Sequence, residues 1–350
     1  MPFAKSIVAR TILTGLLAGA GLTACANCPC PAASAPPQQP PPPPPPPAAS
    51  APEQPKGPES FVGARPKLVV VITIDQLRAD ALAKADPWLS PNGFKRLLRE
   101  GASMTGHYGH YVTYTGPGHA LILSGSYPYA NGIAANKFYN HESQRSEAMV
   151  FDANAQMIGQ KTEPDMDVSP RNFVGSTVGD ELHMATGGQS RTVTIATKGR
   201  GGILLGGRLA KAYWMNDDTG EATTSTYYMK ALPGWVTQWN GKKLADGWFG
   251  KSWDKVAPAA AYAASQPDDA ASEGGGKGLG KTFPHKITGK LSAPGPEYYE
   301  AFCMTPFAND WELSFAQAAI EGENLGGRGV PDLLGVSLSA TDLAGHDFGP

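Results

Sequence analysis

The sequence predicts an α/β fold, a mostly parallel central sheet flanked by helices, with an inserted cap region. Three observations carry this reading. Lys67-Leu-Val-Val-Val-Ile-Thr-Ile74 is an unbroken apolar run rich in β-branched residues, as expected of a strand buried on both faces in a parallel sheet. Strand-like runs then alternate with helical ones, the order that builds parallel sheets. Polar residues able to do chemistry follow directly on strand-like runs, and open α/β sheets collect ligands at the carboxyl ends of their strands.

Along the chain, Phe94 to Glu100 reads as a helix that Gly101 ends. His119 to Leu123 reads as a second helix, begun near Thr115. Thr192-Val-Thr-Ile-Ala196 is another strand, Glu312 to Glu321 a helix, and Leu333 to Ser339 a strand with Asp342 and His346 just past its end. Residues 201–300 differ in being rich in Gly, Trp, Tyr and Thr, with a disordered-looking patch from Ser265 to Lys281. This region reads as an insertion or cap with a flexible loop. Its Trp214, Trp235, Trp239 and Trp248 could shape a leaving-group pocket, with core packing the simpler reading. No internal repeat is visible.

The first residues carry an address. Lys5 and Arg10 flank a short apolar stretch, Thr11 to Leu22, which is too short for a comfortable membrane span and has the plan of an export signal. Leu22-Thr-Ala-Cys25 is similar to a bacterial lipobox, in which the cysteine is lipidated and becomes the mature N-terminus; the alternative is an ordinary cleaved signal and a chance cysteine. Ala26 stands where an inner-membrane retention signal would place Asp, which directs the expected anchor to the outer membrane. A lipid there tethers the protein without making it span the bilayer. The expected boundaries are a signal peptide at 1–24, a spacer at 25–60 and a folded domain at 61–350. The spacer contains the proline run Pro40 to Pro47, which favours polyproline II and acts as a semi-rigid standoff. Cys28 and Cys30 lie in the spacer. Cys303 is alone in the domain, more in keeping with a small buried residue than a nucleophile. A net charge of −2 and a pI near 6.4 argue against nucleic acid as the main partner. A monomer is expected.

Five groups of residues could do chemistry. Asp75 directly follows the first strand and is a candidate metal ligand, or else a helix cap or turn residue. Thr115, in Tyr114-Thr-Gly-Pro-Gly-His119, can open a helix and place its hydroxyl at an anion-binding N-terminus. Near a metal such a hydroxyl is a candidate phosphoryl acceptor; alone it would be a plain cap. Asn136 is able to donate an amide hydrogen bond to a phosphoryl oxygen, or to serve a turn. Lys198 and Arg200 put two cations past a strand end, suited to a dianionic phosphate or to a solvated turn. Asp342 and His346, four residues apart, can face one way and share a zinc ion. A catalytic zinc usually has three protein ligands, so this pair is half of a site.

Together and in this order, these residues resemble the alkaline phosphatase superfamily, in its type I phosphodiesterase/nucleotide pyrophosphatase branch. Ser124-Gly-Ser-Tyr-Pro and Phe283-Pro-His-Lys add to the likeness, which runs from about Lys67 to Pro350. The nearest pattern is that of single-chain bacterial alkaline phosphatases with a threonine nucleophile. The resemblance implies two Zn2+ ions, with Asp75 and Thr115 ligands of one and Asp342 and His346 of the other. It implies Thr115 as nucleophile, with Asn136, Lys198 and Arg200 holding the transferring phosphoryl group of a small phosphorylated substrate. Lys-x-Arg is the monoesterase arrangement, and diesterase relatives lack it. The family completes its metal sites with an Asp-His pair and a further His, all C-terminal to Asp-x-x-x-His. The expectation is therefore that these ligands lie beyond Pro350, and that the 350-residue chain neither holds two zincs tightly nor turns over well. A phosphodiesterase on the same scaffold is the alternative; a lipoprotein that binds phosphorylated ligands without catalysis and an inactive truncated fragment are others. The Cys/Ser-x-Pro-x-Arg pattern of sulfatases is missing from Thr115-Gly-Pro-Gly.

Overall fold

The structure is a computed structural model that describes residues 65–263 and 265–349. The signal segment, Cys25 and the proline-rich spacer lie outside the described residues. The chain enters through β1 (Leu68–Ile74) and two short helices, α1 (Ala79–Ala85) and α2 (Phe94–Glu100). Next come α3 (Thr115–Ser124), α4 (Pro128–Asn131) and a hairpin of β2 (Lys137–Asn140) with β3 (Arg145–Ala148). A βα leg follows: α5 (Val178–Ala185), β4 (Thr192–Ala196), α6 (Gly199–Gly206), β5 (Lys211–Met215) and β6 (Ala222–Thr223). Then α7 (Gly234–Asn240), the paired β7 (Ser252–Trp253) and β8 (His285–Lys286), α8 (Pro296–Cys303) and α9 (Phe307–Gly322) lead to β9 (Asp332–Leu338) and α10 (Ala340–Phe348).

The central sheet has the order β1-β9-β4-β5-β6. Its first four strands are parallel and β6 closes one edge antiparallel. All seven residues of β9 are buried, as a central strand covered on both faces demands. The expected two-sided burial of Lys67–Ile74 does not hold. β1 pairs only with β9 among the described residues, and Val69, Val70 and Ile72 are exposed. A β-branched run encodes an extended, pleat-compatible backbone; its place in the sheet is set by what packs over it.

The boundary drawn for the inserted cap, 201–300, also needs correction. Its first part completes α6 and supplies β5 and β6 to the central sheet, within the single unit Gly63–Pro350. Ser265 to Lys281, expected to be disordered, contains a buried Leu279, and the Gly274 N–H donates to the Asp347 carbonyl at 2.6 Å. Polar, glycine-rich composition signalled turns there, and those turns close over one apolar anchor.

The core explains the tryptophans. Phe315 on α9 is fully buried, and the rings of Tyr213, Trp235, Trp239 and Trp311 surround it at centroid distances of 4.7–5.8 Å. Trp214 is buried in a second cluster with Ile203 and Leu204. Trp248 stacks on Phe307. These residues serve packing, mostly of α7 and α9 against the sheet, and Trp214 also lines a cavity next to Lys198 and Arg200.

Sheet topology also places the chemistry. Ile74 pairs with Leu338, and Ala196 with Ser337. The residues that follow β1, β4 and β9 therefore emerge side by side at one end of the sheet.

Candidate active site

Asp75, Lys198 and Asp342 meet at that end, each nearly buried. The Asp75 N–H donates to the Leu338 carbonyl at 2.9 Å, which extends the ladder by one residue. Asp75 does not cap α1, whose cap position is Arg78; it stands in the turn that leaves β1. The Lys198 ammonium donates to Asp75 Oδ2 at 3.2 Å and also to Asp342 Oδ2. Lys198 caps α6 by its backbone and Arg200 lies in the first turn, so neither belongs to a solvated turn.

Thr115 is the first residue of α3, with Tyr114 in the cap position. Its hydroxyl makes no capping bond; it donates to Asp75 Oδ2 at 3.1 Å. The Gly116 N–H donates to Asn136 Oδ1 at 2.8 Å. A Cβ on Gly116 would lie 2.9 Å from the Ala135 carbonyl oxygen, so only glycine lets this loop close on the helix start. With Oδ1 engaged, the Asn136 amide NH2 is the end left to donate. One turn on, buried His119 joins α3 to the sheet: its Nδ1 lies 2.8 Å from the Thr115 carbonyl and its Nε2 2.7 Å from Ser337 Oγ. Burial pushes its pKa below the ordinary imidazole value.

Asp342 and His346 lie one turn apart on α10, with Nε2 3.4 Å from Asp342 Oδ2 and the imidazole well exposed. The α-helical period accounts for this pairing. Carboxylate, hydroxyl and imidazole are donors that suit zinc, yet each pair supplies two ligands where a catalytic site usually takes three. Among the described residues no three His, Cys, Asp or Glu side chains gather around one point.

Arg200 depends on a residue the sequence reading missed. Asp167 Oδ2 accepts from the Arg200 backbone N–H at 2.9 Å and from its Nη1 at 3.1 Å. A Cβ on Gly199 would fall 2.6 Å from Asp167 Cβ, so the glycine of Lys-Gly-Arg is what admits this carboxylate. Thirty-three residues of separation hide the contact from any local pattern; the acid-rich Glu163-Pro-Asp-Met-Asp167 was the one trace of it. Asp75, Thr115, Asn136, Arg200, Asp342 and His346 all line one cleft of about 970 Å³. A second cavity of about 430 Å³ shares Arg200 and His346 and adds Lys198. The structure thus brings together every candidate residue that it describes.

This architecture is alkaline phosphatase-like. A crystal structure of the alkaline phosphatase PafA matches it with a TM-score of 0.73, at 35% identity over 82% of this chain and 55% of that chain. The chain belongs to the type I phosphodiesterase / nucleotide pyrophosphatase family, whose sequence profile matches residues 69–350. It is 42% identical over 289 residues to a protein of Myroides odoratus named calcium-transporting ATPase, covering 81% of this chain and 52% of that protein. It is 39% identical over 290 residues to alkaline phosphatase PhoV of Synechococcus elongatus, covering 82% and 52%. The chain thus spans about half the length of the curated relatives it matches. One PafA crystal structure carries substitutions at a threonine, an asparagine, a lysine and an arginine. Those four stand 21, 62 and 2 residues apart, as Thr115, Asn136, Lys198 and Arg200 do here.

Proposed function

We propose that this protein hydrolyses phosphate monoesters of small molecules, with Thr115 as nucleophile and two zinc ions as cofactors. The observation that carries the reading is the meeting of the Thr115 hydroxyl, Asp75 and Lys198 at the start of α3. Asp75 with Thr115, and Asp342 with His346, are the residues that would hold the zincs. Bound there, zinc supplies Lewis acidity, lowering the pKa of a coordinated hydroxyl or water and neutralising charge on a leaving oxygen.

The chain's own residues do the rest. Thr115 Oγ1 forms a bond to phosphorus as the bond to the leaving alkoxide breaks, giving a phosphothreonine. Asp75 orients the hydroxyl by accepting its hydrogen bond. Water then attacks the phosphothreonine and releases inorganic phosphate. The Gly116 N–H at the start of α3 is taken up by Asn136 Oδ1, so the Asn136 amide NH2 is the group that would face the oxygens that gather charge, an electrostatic contribution that needs no reorganisation. Lys198 and Arg200 add two positive charges, which a dianionic monoester meets more fully than a monoanionic diester.

Phosphodiester hydrolysis is the second reading, favoured by the description of the family. One pair of substrates separates the two. In a Lys198→Ala/Arg200→Ala variant, kcat/KM for p-nitrophenyl phosphate should fall by roughly 10²- to 10³-fold, and that for bis(p-nitrophenyl) phosphate far less. An unmodified protein that prefers the diester would overturn the monoesterase reading.

Export and an outer-membrane lipid anchor at Cys25 complete the proposal. Metabolic labelling with a radioactive fatty acid should mark the protein and should be lost in Cys25→Ala. Label retained in that variant would refute the anchor.

A further inference from the structure

Glu312 is a carboxylic acid in an apolar place. It sits in the middle of α9, fully buried, beside Trp311 and one turn from Ala308 and Ala316. Burying an ionisable side chain among apolar groups is unfavourable unless the group is paired. Its partner is a single backbone group, the N–H of Thr197, which donates to Glu312 Oε1 at 2.6 Å. Glu312 Oε2 and Thr197 Oγ1 are both buried and make no hydrogen bond.

Thr197 holds a particular place in the fold. β4 ends at Ala196, whose partner in β9 is Ser337, so Thr197 is the first residue past the strand. A buried backbone N–H there requires an acceptor from elsewhere. Lys198 is the next residue, and Arg200 lies two further on, in the first turn of α6. Any shift of Thr197 passes directly to both cations.

We infer that Glu312 is a positioning residue for Lys198 and Arg200: by accepting the Thr197 N–H it pins the end of β4 and so sets the protein's preference for monoesters. The inference rests on the proposed roles of Lys198 and Arg200. Burial pushes the Glu312 carboxyl up to about 8, while Thr197 and the Lys198 ammonium pull the other way. Either protonation state leaves an oxygen able to accept. Glutamine keeps that acceptor and replaces only the second oxygen, with an NH2. Alanine removes the acceptor altogether.

The test compares Glu312→Gln and Glu312→Ala in the zinc-loaded protein, with p-nitrophenyl phosphate, bis(p-nitrophenyl) phosphate and inorganic phosphate as inhibitor. Misplacing a catalytic group by about 1 Å costs roughly 10²-fold. Glu312→Ala should therefore lower kcat/KM for the monoester by roughly 30- to 100-fold and weaken phosphate inhibition in parallel. Its diesterase activity should stay within about threefold of wild type, and so should every activity of Glu312→Gln. Equal losses for monoester and diester, or a Gln variant as impaired as the Ala variant, would overturn the inference. Where Glu312→Ala shows no cooperative melt, Glu312→Met restores the volume without an oxygen and takes its place. If neither folds while Glu312→Gln does, Glu312 is a scaffold anchor only and the positioning role fails. The Lys198→Ala/Arg200→Ala variant is the control. If it leaves monoester hydrolysis and phosphate inhibition unchanged, the proposed roles of the two cations fail instead.

Discussion

Replacing Thr115 with alanine is expected to lower phosphate-monoester hydrolysis by roughly 10⁴-fold or more, the range seen when a covalent nucleophile is removed. No neighbouring hydroxyl takes part in the contacts it makes. Thr115 Oγ1 is the group that lies 3.1 Å from Asp75 Oδ2 at the first turn of α3. Thr115→Ser keeps an oxygen there and should retain measurable turnover. Stability should barely change, because one partly buried hydrogen bond is worth about 1 kcal/mol. Steady-state rates beside thermal melts therefore separate a chemical defect from a folding one. Activity within tenfold of wild type in a folded Thr115→Ala protein would remove Thr115 as nucleophile.

Phe315→Ala is expected to cost about 3–5 kcal/mol of folding stability, as large-to-small changes of buried aromatics do. Phe315 is fully buried, with four aromatic rings around it. Those rings come from β5, α7 and α9, so they cannot all collapse into the space without moving an element. Chemical denaturation should show a lower midpoint. The loss should also reach the candidate site, because Glu312 precedes Phe315 by one turn on α9 and contacts Thr197. An unchanged midpoint would mean that α9 does not pack as described.

Much of the fold was legible locally. Phe94–Glu100 and Thr192–Ala196 appear with the boundaries read from hydrophobic pattern and turn residues. α9 runs longer than Glu312 to Glu321, starting at Phe307, because Ala308 and Trp311 extend its buried face. Asp342 and His346 share one helical turn, which a spacing of four residues allows but does not by itself distinguish from a compact loop. Composition misled where it stood in for packing: β5 and β6 were assigned to an insertion because their surroundings are rich in Gly, Trp and Tyr.

The candidate site divides along the same line. Residues that follow strands, or that repeat a spaced family pattern, could be picked out one at a time. Asp167 and Glu312 could not, since each acts on a backbone N–H and neither lies in a motif. Their contacts span 33 and 115 residues of chain.

The sequence by itself determined the strands and helices that flank the candidate site and which polar residues stand at their ends, because those follow from periodicity and from local backbone chemistry. Only the tertiary structure decided which strands lie side by side. Parallel pairing of β1, β9 and β4 brought Asp75, Asp342 and Lys198 to one point, and placed Glu312 beneath it. Strand order depends on long-range burial shared by many residues, and no single stretch of the chain encodes it.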